Sequence, residues 1–137
     1  MAFIREFGSY VPARVVGNTE LAAQLGIDPE WILNVSGIEE RRFAAPEEWV
    51  ADLAAAAARD CLARAGLTVS DVGMLIVASG SGERRFPGPA VTVALRLGIE
   101  GTPALDLPMA SAGSLFGLAL ASHLAPAHGN VLVIGAD

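Results

Sequence analysis

The sequence predicts an α/β protein, a mainly parallel sheet with helices on both faces, and three observations carry that expectation. Val72–Ala78 and Asn130–Gly135 are almost unbroken apolar runs, the mark of strands covered on both sides. Helical patterns alternate with these runs, as they do where crossover helices link parallel strands. Finally, Ser111–Ala125 is apolar around its whole circumference, since Leu115, Phe116, Leu118, Leu120 and Leu124 point in nearly every direction on a helix. A helix of that kind is buried on all sides, so it must lie between two layers. This chain readily supplies only one of them.

In chain order, Phe3–Tyr10 reads as a strand entering a turn at Val11-Pro12. Asn18 opens a short helix with capping residues and Gly26 closes it. Asp28-Pro29 starts another, with Asp as cap and Pro at the first helical position. Ile38–Phe43 reads as a short strand. Pro46–Ala65 is a helix with Glu47 and Glu48 near its start, an alanine-rich body and Gly66 as its stop. After the strand Val72–Ala78 come a helix over Gly88–Leu97, a strand over Thr102–Leu107, the helix from Ser111 and the strand Asn130–Gly135. No internal repeat, linker or low-complexity segment interrupts the series. Residues 1–137 therefore read as one domain, or one large piece of one.

The hydrophobic fraction of 53% and mean hydropathy of +0.48 are high for a free-standing soluble domain. Part of the surface is expected to be covered by something else. A net charge of −6 argues against a nucleic-acid partner, which requires a basic face. Cys61 is the only cysteine, so no intramolecular disulfide forms, and a cytoplasmic setting fits. It shares a helical stripe with Leu53, Ala54, Ala57 and Ala65 and reads as a structural thiol, because a reactive one needs an electropositive, accessible niche. The N-terminal residues lack a signal-peptide pattern, and Ser111–Ala125 is too short to span a bilayer. No membrane segment is expected.

Chemistry concentrates at Ala104–Gly113, which reads as a strand, a tight loop and the start of a helix. A hydroxyl in that first turn, Ser111, sits where unpaired backbone N–H groups and the positive dipole end would stabilise an oxyanion. Serine is equally a favoured N-cap, and the residues alone leave both readings open. Gly80-Ser81-Gly82 follows a strand but lacks the spacing of a dinucleotide loop and the ending of a P-loop, so nucleotide binding is not expected. The hydrolase elbow is also missing, with Met109 where its first glycine would stand. His123 and His128 have no ligand-spaced neighbours, so no metal site is expected. His123 lies over three turns along the helix from Ser111, too far to act as its base.

The segments Tyr10-Val11-Pro12, Asn18-x-Glu20-Leu21-Ala22, Asp28-x-Glu30-Trp31-Ile32, Ser36-Gly37-Ile38-x-Glu40-Arg41-Arg42, Leu75–Ser79, Phe86-Pro87, Leu97-Gly98, Ala104-Leu105-Asp106, Ala110–Gly113 and Val131–Asp137 stand in one order. So does Asp52-Leu53-Ala54-x-x-Ala57-Ala58 between them. In that order they resemble the N-terminal half of a β-ketoacyl-acyl-carrier-protein synthase III, a member of the thiolase superfamily. The resemblance implies two similar α/β halves packed in five layers, with the nucleophile-bearing helix buried between sheets. It makes residues 1–137 an incomplete N-terminal half, a truncated form or one piece of a split protein, whose C-terminal half would carry the family's histidine and asparagine.

The family's nucleophilic cysteine falls at Ser111, a hydroxyl in place of a readily formed thiolate. Trp31 matches a tryptophan that contacts coenzyme A, although packing as an amphipathic anchor is an equal reading. Ser36 keeps a hydroxyl where the family often has threonine, but Val35 replaces an arginine and loses a charge-assisted bond to phosphate. Phe86 matches a residue that crosses a dimer interface to line the partner's acyl pocket; its rival reading is packing on its own domain. Arg41-Arg42 and Arg84-Arg85 either meet an acidic acyl carrier protein or form solvated faces.

The expected function is acyl transfer or condensation from coenzyme A or phosphopantetheine thioesters, in fatty acid or polyketide biosynthesis, with no permanently bound cofactor. The chain alone is expected to be inactive and to join a missing half or partner subunit in a homo- or heterodimer. The rival is a non-catalytic subunit that pairs with an active ketosynthase. An unrelated α/β binding module would require the ordered matches to be coincidence.

Overall fold

The computed structural model describes residues 2–82 and 84–137, and the chain divides into two compact units. The smaller, Val11–Glu48, pairs strand β1 (Arg14–Gly17) antiparallel with β2 (Glu40–Phe43). Helices α1 (Asn18–Leu25) and α2 (Pro29–Ser36) lie between them in sequence. The α2 start is local chemistry: Asp28 Oδ1 accepts the Glu30 N–H at 3.0 Å, and Pro29 needs no acceptor. Its buried side chains include Val16, Ala22 and Ile32.

The larger unit holds the rest of the chain up to Tyr10 and from Trp49 onward. Its elements are α3 (Val50–Ala65), β3 (Val72–Ala78), α4 (Pro89–Leu97), β4 (Ala104–Leu107), α5 (Gly113–His128) and β5 (Asn130–Gly135). The strands form a parallel sheet in the order β4-β3-β5, with Leu75 opposite Leu132 and Ile76 opposite Val133. Because side chains alternate along a strand, Leu75, Val77, Leu132 and Ile134 share one face. There they meet Ala51, Ala54, Ala55, Ala58 and Leu62 of α3 and Ala90, Val93 and Leu97 of α4. The other face carries Ile76 and Val133, against which α5 sets Gly117. Helices therefore cover both faces of the sheet, as expected.

Alanine at the α3 contact positions lets that helix approach closely, while glycine does the same for α5. A Cβ on Gly117 would stand 2.7 Å from Val133 Cγ1. The outer side of α5 is uncovered in this chain: Leu115, Phe116 and Leu120 are exposed. The sequence asked for a layer on each side of α5, and the 137 residues provide only the sheet on its inner side.

Four expectations are corrected. Phe3–Tyr10 is not a strand: among the described residues it has no ladder partner, and β pairing needs one. The segment lies on α3 instead, where Ser9 N–H donates to Asp60 Oδ2 at 2.9 Å and Cys61 Sγ contacts the Glu6 carbonyl at 3.7 Å. Helix α3 starts at Val50 rather than Pro46, because Glu48 closes a turn on the Ala45 N–H and Asp52 accepts the Trp49 N–H at 2.9 Å. Helix α5 continues past Pro126 to His128, ending where the Gly129 N–H reaches the Ala125 carbonyl. It also begins two residues after Ser111.

Candidate active site

The parallel strands end at Ala78, Leu107 and Gly135, and the segments that follow them converge on an open cleft of about 390 Å³. Met109, Ser111, Gly113, Ala136 and Asp137 are among its lining. The crevice beyond the carboxyl ends of parallel strands is where α/β sheets bind ligands.

Ser111 stands in that crevice with φ +46, the one non-glycine residue with positive φ among the described residues. Such a conformation costs on the order of 1–3 kcal/mol and persists only where its surroundings enforce it. The enforcement is visible. Met109 N–H closes on the Leu107 carbonyl at 2.7 Å, and Gly113 N–H on the Ala110 carbonyl at 3.1 Å. Gly113 is buried so tightly that a Cβ would lie 2.9 Å from Ala78 Cβ. A strand, a strained turn and a helix thus hold an exposed hydroxyl over the sheet edge.

Ser111 is consequently not the N-cap of α5. That position belongs to Ala112, which offers no side-chain hydrogen bond, so the first-turn N–H groups start without a side-chain acceptor. The cap reading of Ser111 fails, and what remains is a hydroxyl beside a positive helix end. Among the described residues, the cleft lining includes one carboxylate, Asp137, and no histidine. His123 is exposed in the middle of α5 and does not stand at a helix end.

Asp137 is a site residue that sequence reasoning missed. Its Oδ1 accepts the Gly80 N–H at 2.6 Å, Ser81 Oγ at 3.0 Å and Ser79 Oγ at 3.4 Å. Gly80 in turn packs on the serine turn, where a Cβ would meet Ala110 Cβ at 2.7 Å. The glycine-rich stretch after β3 is therefore tied to a carboxylate, which occupies the Gly80 N–H a phosphate cradle would need. Glu83, within that stretch, lies outside the described residues. Asp106 plays a matching structural part. From β4 its Oδ1 accepts the Ala90 N–H at 2.7 Å and caps α4, whose own N-cap, Gly88, has no side chain. The available signal was an uncapped Gly88-Pro89 helix start facing an acidic residue on the next strand.

In the smaller unit, Trp31 is 56% exposed on α2, which disfavours the packed-anchor reading. The Ser36 hydroxyl is engaged locally, donating to the Ile32 carbonyl at 2.5 Å and accepting the Ile38 N–H at 3.1 Å. Val35 is exposed. Arg41 and Arg42 donate to the carbonyls of Val16, Pro12 and Ala13, so both are partly structural. In the larger unit Phe86 is 92% exposed. Arg84 and Arg85 are exposed. Cys61 is a thiol held above its usual pKa by burial first, then by Glu6 and Asp60, with Arg64 opposing.

The unit sets helices on both faces of a parallel sheet and a strained residue between β4 and α5, and the solved structures it matches are thiolase-like. No protein-family model matches the sequence. The chain is 44% identical over 136 residues to β-ketoacyl-acyl-carrier-protein synthase III 4 of Streptomyces coelicolor, covering 98% of this chain and 43% of that protein. It superposes with a TM-score of 0.90 on the β-ketoacyl-acyl-carrier-protein synthase III of Thermus thermophilus, 37% identical, over 98% of this chain and 42% of that one. A priming β-ketosynthase from the R1128 polyketide biosynthetic pathway gives a TM-score of 0.90 at 30% identity, over 96% of this chain and 40% of that one. The chain is similar to the N-terminal part of β-ketoacyl-acyl-carrier-protein synthase III proteins. It spans about two fifths of the length of the curated relatives it matches.

Proposed function

We propose that this chain is the N-terminal, nucleophile-bearing part of a synthase-III-like acyltransferase of fatty acid or polyketide biosynthesis. The observation that carries the reading is Ser111, held at φ +46 between β4 and the uncapped start of α5. In the completed protein the Ser111 oxygen attacks the carbonyl carbon of an acyl thioester of coenzyme A or of a carrier protein. N–H groups at the helix start stabilise the tetrahedral oxyanion. A base from the complementary part takes the hydroxyl proton, the carbon–sulfur bond breaks, and the departing thiolate is protonated. The acyl group then passes to a second acceptor by condensation or simple transfer.

Trp31 stacks on the adenine of coenzyme A, and Ser36 lies beside it as a minor contact through its remaining lone pair. Phe86 reaches into a partner's acyl pocket in a homo- or heterodimer. The setting is cytoplasmic, and no helix among the described residues is long and apolar enough to cross a membrane. The isolated 137 residues do not turn over, because the cleft brings Ser111 no histidine and its carboxylate, Asp137, is engaged by Ser79, Gly80 and Ser81.

The test is mass spectrometry of the completed protein after incubation with acetyl-, butyryl- and octanoyl-coenzyme A. A single acyl adduct on Ser111, absent in Ser111→Ala, is expected. An unmodified mass with every donor overturns the reading. It would favour a second one, a non-catalytic subunit that shapes the pocket of an active ketosynthase, for which Ser111 in place of cysteine and Val35 in place of arginine speak.

A further inference from the structure

Ser111 holds its positive φ in a turn fastened at both ends. On the strand side the Met109 N–H closes on the Leu107 carbonyl, and on the helix side the Gly113 N–H closes on the Ala110 carbonyl. Between those bonds, Ala110 is backed from outside the turn by Gly80. The approach is close: a Cβ on Gly80 would stand 2.7 Å from Ala110 Cβ, 3.1 Å from its nitrogen and 3.3 Å from its Cα. Gly80 is also the first residue past the grip of the sheet. The Ser79 N–H still reaches the Leu107 carbonyl at 3.1 Å, and the Ala78 carbonyl still accepts the Ala136 N–H at 3.0 Å. Beyond them the fastening passes to a side chain. Asp137 Oδ1 accepts the Gly80 N–H at 2.6 Å and Ser81 Oγ at 3.0 Å, and the Ser81 N–H folds back to Ser79 Oγ at 3.2 Å.

We propose that Asp137 is a positioning residue for Ser111: through Gly80 it wedges Ala110 in place and so keeps the next residue at positive φ. A carboxylate on a backbone N–H makes a charge-assisted bond, stronger than a neutral one, which suits a strut that must hold against strain. Without it Gly80 withdraws, Ala110 follows, and Ser111 relaxes to the negative φ that serine prefers. The hydroxyl then leaves its place beside the uncapped start of α5. Asp137 lines the same cleft as Ser111, so the rival role is a direct effect of its charge on the hydroxyl. The two roles predict opposite signs. The bearing of the strut on acyl transfer rests on the proposed function, whereas the strut itself does not.

Two measurements test it on this chain, carrying a short Gly-Ser tail after Asp137 so that the terminal carboxylate lies away from Gly80. The first is a double-mutant cycle on melting temperature. Ser111→Gly accepts positive φ without a Cβ penalty and is expected to raise the melting temperature by about 3–5 °C. In Asp137→Ala, where the strain is already released, the same change is expected to bring no gain. In Asp137→Asn, whose Oδ1 still accepts the Gly80 N–H, the gain returns. Ala110→Gly removes the methyl that Gly80 backs and leaves Asp137 intact, so it keeps the test decisive if Asp137→Ala fails to fold; there too the gain is expected to vanish. A carboxylate that only stabilises the fold lowers every melting temperature and leaves the gain from Ser111→Gly untouched. That result overturns the proposal.

The second measurement reads the side chain. With Cys61→Ala in the background, Ser111→Cys carries a single thiol, and the pH dependence of its alkylation by iodoacetamide gives the midpoint of its ionisation. A helix start favours the thiolate. Loss of the strut takes the thiol away from that start, so Asp137→Ala is expected to move the midpoint up by about half a pH unit or more. Loss of a nearby negative charge alone would move it down. A downward or absent shift overturns the proposal. Neither measurement uses an acyl donor, so a missing acyl adduct on Ser111 leaves the strut standing, and a failed strut leaves the acyl-transfer reading standing.

Discussion

The two faces of the parallel sheet differ in how far this chain finishes them. On one, α3 and α4 bury an alanine stripe against Leu75, Val77, Leu132 and Ile134, and each helix has an acidic side chain at its start. On the other, α5 touches the sheet through Gly113 and Gly117, starts without a side-chain cap, and leaves Leu115, Phe116 and Leu120 exposed. The finished face supplies the stability; the unfinished one carries Ser111. An uncapped, two-sided apolar helix is a poor choice for a solvent-exposed layer and a good one for a nucleophile to be enclosed by more protein.

The widest contrast is between two leucines. Leu75→Ala is expected to cost about 2–5 kcal/mol in denaturant unfolding, because Leu75 is wholly buried. Leu115→Ala is expected to stay within about 0.5 kcal/mol and to reduce self-association measured by light scattering. Equal losses at the two positions would abolish the distinction between the faces.

Gly117→Ala sharpens it from the α5 side. Alanine favours the helix by about 1 kcal/mol, but the new methyl would stand 2.7 Å from a stiff, β-branched Val133, and overpacking costs about 1–3 kcal/mol. A net loss of about 1 kcal/mol in unfolding free energy is expected. A gain would mean that α5 floats on the sheet. Asp106→Ala tests the α4 side, where loss of the bond to the Ala90 N–H is expected to cost about 1 kcal/mol.

The smallest effect concerns Cys61. Burial holds its thiol above the ordinary pKa, so the folded state disfavours the thiolate. The unfolded chain ionises first, and this contribution to stability is lost as pH rises from the unfolded toward the folded value. Iodoacetamide labelling of the native chain is expected to reach its half-maximal rate at higher pH than in denaturant. Coincident pH profiles would show that the segment over α3 does not shield it.

Much of the fold was legible because its signals are local. Asp28-Pro29, Gly26, Gly66 and Gly98 bound helices through bonds within a few residues, and the apolar runs at Val72–Ala78 and Asn130–Gly135 required cover on both faces wherever they lay. The same locality explains the misplaced start of α3, since Pro46 and Glu48 suit a helix start and a turn equally well until Asp52 takes the Trp49 N–H. Ser111 was found by its neighbours in sequence, yet its conformation was not.

The sequence by itself determined which segments are helical or apolar enough for a buried strand, and that α5 needs two covered sides, because capping bonds and periodicity are set by residues close together in the chain. Only the tertiary structure decided that Ser111 bends to positive φ, that Asp106 caps a helix start sixteen residues before it, that Asp137 ties down Gly80, and that Phe3–Tyr10 stays unpaired. Each of those depends on which strand lies beside which, and a hydrogen bond between distant residues leaves no period in the sequence from which to read it.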